Sequence, residues 1–203
     1  DIRAAMLEVD KFIEDICAST PKVEIELPEG ITVGEQDDAD DLYKYASDPD
    51  IGPSCGWPPH RDIAESLNII KNVLIGEESY AVCLQEDDKV IGDIKLKLKH
   101  SDIVKRDDEC EVGCWIGKPF WGQGLMSEAL EEVMRHAFED IGMNKIWACY
   151  YEGNDRSKRL QEKAGFKYQW SNKEADVPLM HEKRTECVNA ITKEEWLTKR
   201  SST

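Results

Sequence analysis

The chain has 203 residues, a size for one large domain or two very small ones, which excludes a multidomain machine. Hydrophobic residues at 40% and charged residues at 33% supply a core and exclude a disordered chain. Forty-two acids against 26 bases leave a formal charge of -16, which repels nucleic acid and anionic membrane surfaces and favours an amine or other cation as partner. The charge is uneven: residues 1–50 hold 15 acids and 4 bases, a net of -11.

Seven cysteines (Cys17, Cys55, Cys83, Cys110, Cys114, Cys149, Cys187) are odd in number and scattered, with no CxxC pair or Cys/His cluster. Reduced, mostly buried thiols and no metal are expected. Apolar runs are short and broken by charge, and the first 30 residues carry eight acids where a signal peptide has a basic start. The expectation is a soluble, cytoplasmic protein, monomeric or homodimeric.

In chain order, residues 2–17 set Ile2, Met6, Val9, Phe12, Ile13 and Ile16 at helical spacing, and residues 1–22 are read as an N-terminal helical extension on a single domain of residues 23–203. Extended chain follows, then an acidic helix from Asp37 stopped by Pro49. GPSCGWPPH, residues 52–60, is expected to be an irregular shaped loop, because its prolines and glycines break both helix and sheet ladders. A helix from Asp62 precedes two strands joined at Asp87-Asp88; in the second, Ile94, Leu96 and Leu98 alternate with Lys95, Lys97 and Lys99. Residues 109–117 read as a strand and 124–141 as an amphipathic helix, with His136 structural. The order then runs strand 145–151, helix 155–163, strand FKYQW, last strand Val177 to Ala190, and a short helix opened by a Thr192/Glu195 capping box. Mixed helices and strands, with a hairpin first and a strand-helix-strand unit later, predict an α/β layered fold around a mixed sheet.

The most informative stretch is strand, PFWGQGLMSEA, helix. A glycine-bearing turn into a helix start presents unpaired N–H groups beside the positive end of the helix dipole, an anion cradle. No Gly-Lys-Ser/Thr follows, so this is no Walker loop, and Ser127 stands where a dinucleotide fingerprint has its third glycine. With its downstream partners the stretch resembles the GNAT superfamily of acyl-CoA-dependent N-acetyltransferases. Trp121-Gly122-Gln123-Gly124-Leu125-Met126 matches that family's Q/R-x-x-G-x-G/A loop, with Trp121 in first place as in the ribosomal-protein N-terminal acetyltransferase (Rim-type) branch, and Met126 in place of a small residue. Asn154-Asp155-Arg156-Ser157, Gly165-Phe166, the terminal ITKEEWL and the GWPPH loop also resemble that branch, so the likeness covers roughly residues 30–197.

The resemblance implies a GNAT-like, mostly antiparallel sheet flanked by helices, and direct transfer of an acetyl group from acetyl-CoA to a primary amine, on a protein N-terminus or a small molecule. Trp115, Ile116, Gly117, Gly122, Gln123, Gly124, Leu125, Met126, Asn154, Ser157 and Arg159 are then expected to contact the coenzyme, and Trp57 and His60 the acceptor. Deprotonating the amine needs a carboxylate, for which Glu111, Asp176 and Glu174 are the candidates. The oxyanion donor is placed within Cys114 to Gly117, because strand amides need no reorganisation. Many family members stabilise the thiolate with a tyrosine seven residues after the asparagine; here that position is Gln161, and Ser157 is the Rim-type alternative. Ser157 also reads as a simple helix-start residue. The acidity of residues 1–50 is expected toward the acceptor side. Two other readings stay open: a non-catalytic acyl-CoA-binding or regulatory module on the same fold, and a partner-binding protein that uses the N-terminal helix as a dimer seam.

Overall fold

A computed structural model of the chain describes residues 23–26, 37–74, 77–84, 89–99 and 101–201; the expected N-terminal helical extension lies outside them. Seven strands form one sheet: β1 (Val23–Glu26), β2 (Ser79–Leu84), β3 (Val90–Lys97), β4 (Glu109–Ile116), β5 (Lys145–Tyr151), β6 (Lys167–Val177) and β7 (Glu182–Thr192), in the order β1-β2-β3-β4-β5-β7-β6. Every neighbouring pair is antiparallel except β4 and β5. A parallel pair needs a crossover, which is supplied by helix α4 (Leu125–Arg135), extended by a π-turn over His136–Asp140.

The helix predicted between residues 124 and 141 forms because its apolar residues recur on one face: Leu125, Met126, Ala129, Leu130, Val133, Met134, Ala137 and Phe138 are all buried. They pack on Ile94, Leu96, Cys110, Val112, Ile146 and Ala148 to make the main core. Helix α5 (Asp155–Ala164) and the C-terminal helix α6 (Lys193–Arg200) close this layer, Trp196 resting 5.1 Å from the Phe138 ring. The capping box is present: Thr192 accepts from the Glu195 amide while the Glu195 carboxylate accepts from the Thr192 amide. The opposite face is covered in part by α1 (Asp37–Ala46) and α3 (Ile63–Ile69, with a π-turn over Ile70–Leu74), which enclose Leu42, Ile70, Trp57 and Trp115. The rest of that face holds a smaller cluster of Trp147, Val188 and Ala190. Among the described residues no helix is long and apolar enough to cross a membrane.

Two expectations need correction. Residues 52–60 are not wholly irregular, since Gly52–Cys55 make a one-turn helix, α2. Pro53 enters its first turn, where the missing N–H costs nothing, and Gly56 closes it at φ 92°. The last strand begins at Glu182, not Val177: β6 runs through Val177, and Pro178, which has no N–H to give a ladder, turns the chain back through Met180 and His181.

His136 pins the end of α4 to the sheet edge. Its Nε2 lies 3.1 Å from Glu78 Oε2 and its Nδ1 2.9 Å from Asp140 Oδ2. The hydrogen bond to Glu78 raises the imidazole pKa. A raised folded value stabilises the fold fully below the unfolded value of about 6.5 and is lost as pH rises through the folded one. His136→Ala should therefore lower the urea midpoint more below about pH 6 than above about pH 9; denaturation curves at the two pH values measure this.

Candidate active site

The site begins where β4 and β5 separate. They pair from Glu109↔Lys145 to Val112↔Ala148 and then part, although β4 continues to Ile116 and β5 to Tyr151. Gly117 donates its N–H to Ile91 O at 2.7 Å. Because N–H groups alternate sides along a strand, that of Trp115 also faces β3, while those of Cys114 and Ile116 face the gap. This narrows the expected oxyanion donor to Cys114 and Ile116 and removes Gly117, whose amide is already engaged. Gly113 stands beside the start of the gap, where an added Cβ would meet nothing within 4 Å, so the strand carries a notch between Glu111 and Trp115.

The cradle follows β4. Gly122 and Gly124 hold φ of 76° and 86°, left-handed conformations that turn the loop into the α4 start. The first turn closes on Gly124 O, which accepts from the Ser127 and Glu128 amides. Among the described residues no acceptor faces the N–H groups of Gly122, Gln123, Gly124, Leu125 or Met126. The space where a side chain on either glycine would stand is open to 4 Å, and Gly122, Gln123 and Gly124 are exposed. The Leu125 and Met126 side chains are buried, leaving only their backbones to the loop. Gln123 folds back to donate to Pro119 O at 2.7 Å, and the Trp121 indole donates to Ile116 O at 2.9 Å, so these side chains brace the loop. Such a row of amides at a helix start fits a phosphate or pyrophosphate.

Helix α5 brings its start against this loop. The guanidinium of Arg156 stacks 3.6 Å over the Trp121 ring, which sets a cation beside the cradle loop. Arg159, expected to contact the coenzyme, lies three residues further along the same helix and, like Arg156, is exposed. Asn154 caps α5 by accepting from the Ser157 amide at 3.2 Å, and its Nδ2 donates to Ser54 O at 3.1 Å; it joins α5 to α2. Ser157 Oγ accepts from Gln161 Nε2 at 3.1 Å. The same nitrogen donates to Cys149 O at 3.0 Å, and Gln161 Oε1 accepts from Asn189 Nδ2 at 2.8 Å. Both amide side chains are buried.

On the sheet face opposite α4, the candidate carboxylates separate. Glu111 is occupied by Lys97 Nζ at 2.8 Å and by the Ser101 hydroxyl. Asp176 and Glu174 are largely exposed on the β6–β7 hairpin, 3.9 Å and 3.6 Å from Lys183 Nζ. Asp176 pairs with Lys183, about 10 Å along β7 from the strand position that meets β5's end, so the structure does not bring it to the gap. The residue there is Glu186, opposite Tyr151. Glu186 is half-buried, makes no ion pair or hydrogen bond among the described residues, and is raised above the usual carboxylate range by burial and by the charge of Glu111. The thiol of Cys149 is pushed up by burial and by both glutamates, which places it beside them. Asp93, on β3 opposite Trp115, is pushed up to about 7 by burial. No short motif marks Glu186 or Asp93; only the strand register gathers them. From Glu186 a cavity of about 730 Å³ extends past Trp170 and Trp147, whose rings meet edge to face at 5.3 Å.

Trp57 and His60 lie on this face in the loop whose Gly56 abuts the Tyr151 ring. Trp57 packs edge-on to Trp115 at 6.0 Å, and His60 Nδ1 lies 2.8 Å from Ser66 Oγ, so both seat the α2 loop. The acids at the end of the first 50 residues lie on the cradle side: Asp50 and Asp48 approach Lys118 Nζ at 2.5 Å and 4.0 Å.

The separated strands, the cradle and the following helix start define an acyl-CoA acyltransferase architecture. The family model for the acetyltransferase (GNAT) domain matches residues 32–167, and the chain belongs to that family of acetyl-CoA-dependent acyltransferases. It is 27% identical over 137 residues to the uncharacterized N-acetyltransferase p20 of Bacillus licheniformis, a match covering 65% of this chain and 75% of that protein. Its fold matches the ribosomal-protein-S5-alanine acetyltransferase of Vibrio fischeri, with TM-score 0.61, 16% identity and coverage of 88% of this chain and 97% of that one. It also matches the spermidine N-acetyltransferase of Vibrio cholerae, solved with CoA and spermine, with TM-score 0.66, 14% identity and coverage of 87% and 98%.

The two kinds of glycine predict different outcomes. Gly124→Ala, forced into a left-handed conformation, should cost about 1 kcal/mol in chemical denaturation. Gly113→Ala, in a strand with open space beside it, should leave stability within about 0.5 kcal/mol.

Proposed function

We propose that the protein transfers the acetyl group of acetyl-CoA to a primary amine by direct attack, with residues 23–203 forming one catalytic domain and the acceptor a protein N-terminus or a small-molecule amine. The observation that supports this best is the convergence on one gap of three chemistries: the Cys114 and Ile116 amides, the Ser157 helix start, and the free carboxylate of Glu186. The cradle fits the coenzyme's pyrophosphate on its own geometry, through five amides that meet no acceptor among the described residues, open space at Gly122 and Gly124, and Arg156 beside them. Bound there, acetyl-CoA supplies an activated thioester.

The chain's own groups divide the remaining work. Glu186 takes the proton that the amine must lose; its raised pKa makes it a better base than an ordinary surface glutamate. The Cys114 and Ile116 N–H groups stabilise charge on the acyl oxygen without reorganising. Ser157 donates a hydrogen bond to the departing sulfur. Cys149, half-buried with its thiol pKa pushed up, is a wall of the gap and not a nucleophile.

The acceptor cavity supports an amine over an anion, because Asp102, Glu109, Glu174, Asp176 and Glu186 line it against Lys105 and Arg106. The Vibrio relatives, named for a ribosomal protein and for spermidine, support both acceptor classes.

Acetyl-CoA should raise the melting temperature, and a panel of peptide N-termini and polyamines should release free thiol. A chain that binds acetyl-CoA but releases thiol with no amine is a binding module instead. A base must be unprotonated, so kcat/KM should rise with pH through a value above the usual glutamate pKa of about 4.3. Glu186→Gln should abolish that limb and lower kcat about 100-fold, read from pH–rate profiles.

A further inference from the structure

Gln161 occupies the position where many relatives carry a tyrosine, and its side chain is only 5% exposed. Its orientation is set by chemistry. The Cys149 carbonyl only accepts, so Gln161 must aim its nitrogen at that carbonyl, 3.0 Å away. The same nitrogen then faces Ser157 Oγ at 3.1 Å, and the opposite oxygen receives Asn189 Nδ2 at 2.8 Å. Turning the amide over would set oxygen against oxygen at Cys149. The second N–H of Gln161 is thereby committed to Ser157, whose oxygen is made an acceptor. Among the described residues nothing accepts the Ser157 proton.

We infer that Gln161, locked by Asn189 and the Cys149 carbonyl, is a positioning residue that turns the Ser157 hydroxyl proton outward, toward the sulfur of the thioester. The inference rests on the acetyl-transfer reading. As the N–C bond forms, the C–S bond breaks with its electron pair on sulfur, and the proton lost by the amine goes to a carboxylate. Ser157 gives sulfur a hydrogen bond and keeps its own proton. A tyrosine serves sulfur directly with its phenol; here a serine serves it, and a buried amide excludes the orientation in which the hydroxyl proton points back at α5. Preorganising a donor in this way replaces a rotor that would otherwise have to be ordered during the reaction.

The test is a double-mutant cycle with Gln161→Met, which keeps the volume and loses the donors, and Ser157→Ala. Ser157→Ala should lower kcat about 100-fold, and Gln161→Met about tenfold, the worth of one hydrogen bond, with KM for acetyl-CoA unchanged in both. The double variant should be no slower than Ser157→Ala alone, because Gln161 acts only through that hydroxyl. A second measurement needs no turnover: the ultraviolet thiolate absorbance of bound coenzyme A, titrated against pH as the difference from free protein. The bound thiol should titrate below free coenzyme A in wild type and return toward the free value in each variant. Wild-type kcat in Gln161→Met, losses that multiply in the double variant, or a thiol titration unmoved by Gln161→Met would each overturn the inference. Wild-type protein that binds coenzyme A without turnover overturns the acetyl-transfer reading while the titration still decides this one, and failure to bind coenzyme A overturns both.

Discussion

Two adjacent parallel strands that stop hydrogen bonding while both continue leave backbone groups that must find other partners, and those partners build the rest of the site. Beyond Val112↔Ala148 the sheet has lost its ladder, yet an unpaired buried carbonyl costs as much as a lost hydrogen bond. Cys149 O is taken by Gln161 from α5, and Ile116 O by the Trp121 indole from the cradle loop. The amides of Cys114 and Ile116 are left facing the gap. The gap is thus held open by side chains from the two elements that follow its strands, and the same side chains set the cradle and the Ser157 hydroxyl in place. Fold and site share these contacts, so a change at Gln161 or Trp121 affects both.

The two sides of the gap differ in what secures them. On the α4 side the support is apolar and deep, with Phe138, Met134 and Ile146 all under 2% exposed, so the cradle sits on a rigid layer. On the opposite face the support is polar. Glu109, 7% exposed, receives the Trp147 indole at 2.8 Å, and Glu111 is held by Lys97. Glu186 alone of these three lacks a partner among the described residues. A carboxylate that burial and a like charge both disfavour has a standing tendency to take a proton, which is the property wanted where an ammonium must be neutralised.

Much of this was legible along the chain because it is local. The cradle glycines, the Thr192/Glu195 box and the buried stripe of α4 all act within a few residues of themselves, and each stands where spacing put it. Glu186 and Asp93 were not legible, because their meaning comes from strand register: one among 42 acids is distinguished only when β7 lays it opposite Tyr151. The place of Asp176 was not legible for the same reason, since sequence distance after Gly165-Phe166 does not say where a long hairpin bends. Gln161 read as a loss when set against a tyrosine, and its gain depends on Asn189, 28 residues further on.

The net charge also takes its meaning from placement. A charge of -16 sits poorly with an anionic coenzyme if it is spread evenly. The structure instead ties Asp48 and Asp50 to Lys118 at the cradle rim, where the lysine holds the Asp50 carboxyl below its usual range. Lys118 offsets one of these two charges, and Arg156, stacked on Trp121, also lies within the field of Asp50. Among the described residues, the carboxylates that line the cavity beside Glu186 come from β4, β6, β7 and the loop before β4. Arg156 and the cradle thus lie on the α4 side, and the cavity carboxylates on the other face, so the two sides of the gap carry fields of opposite sign. The same parting of β4 and β5 that exposes the amides keeps these two fields apart.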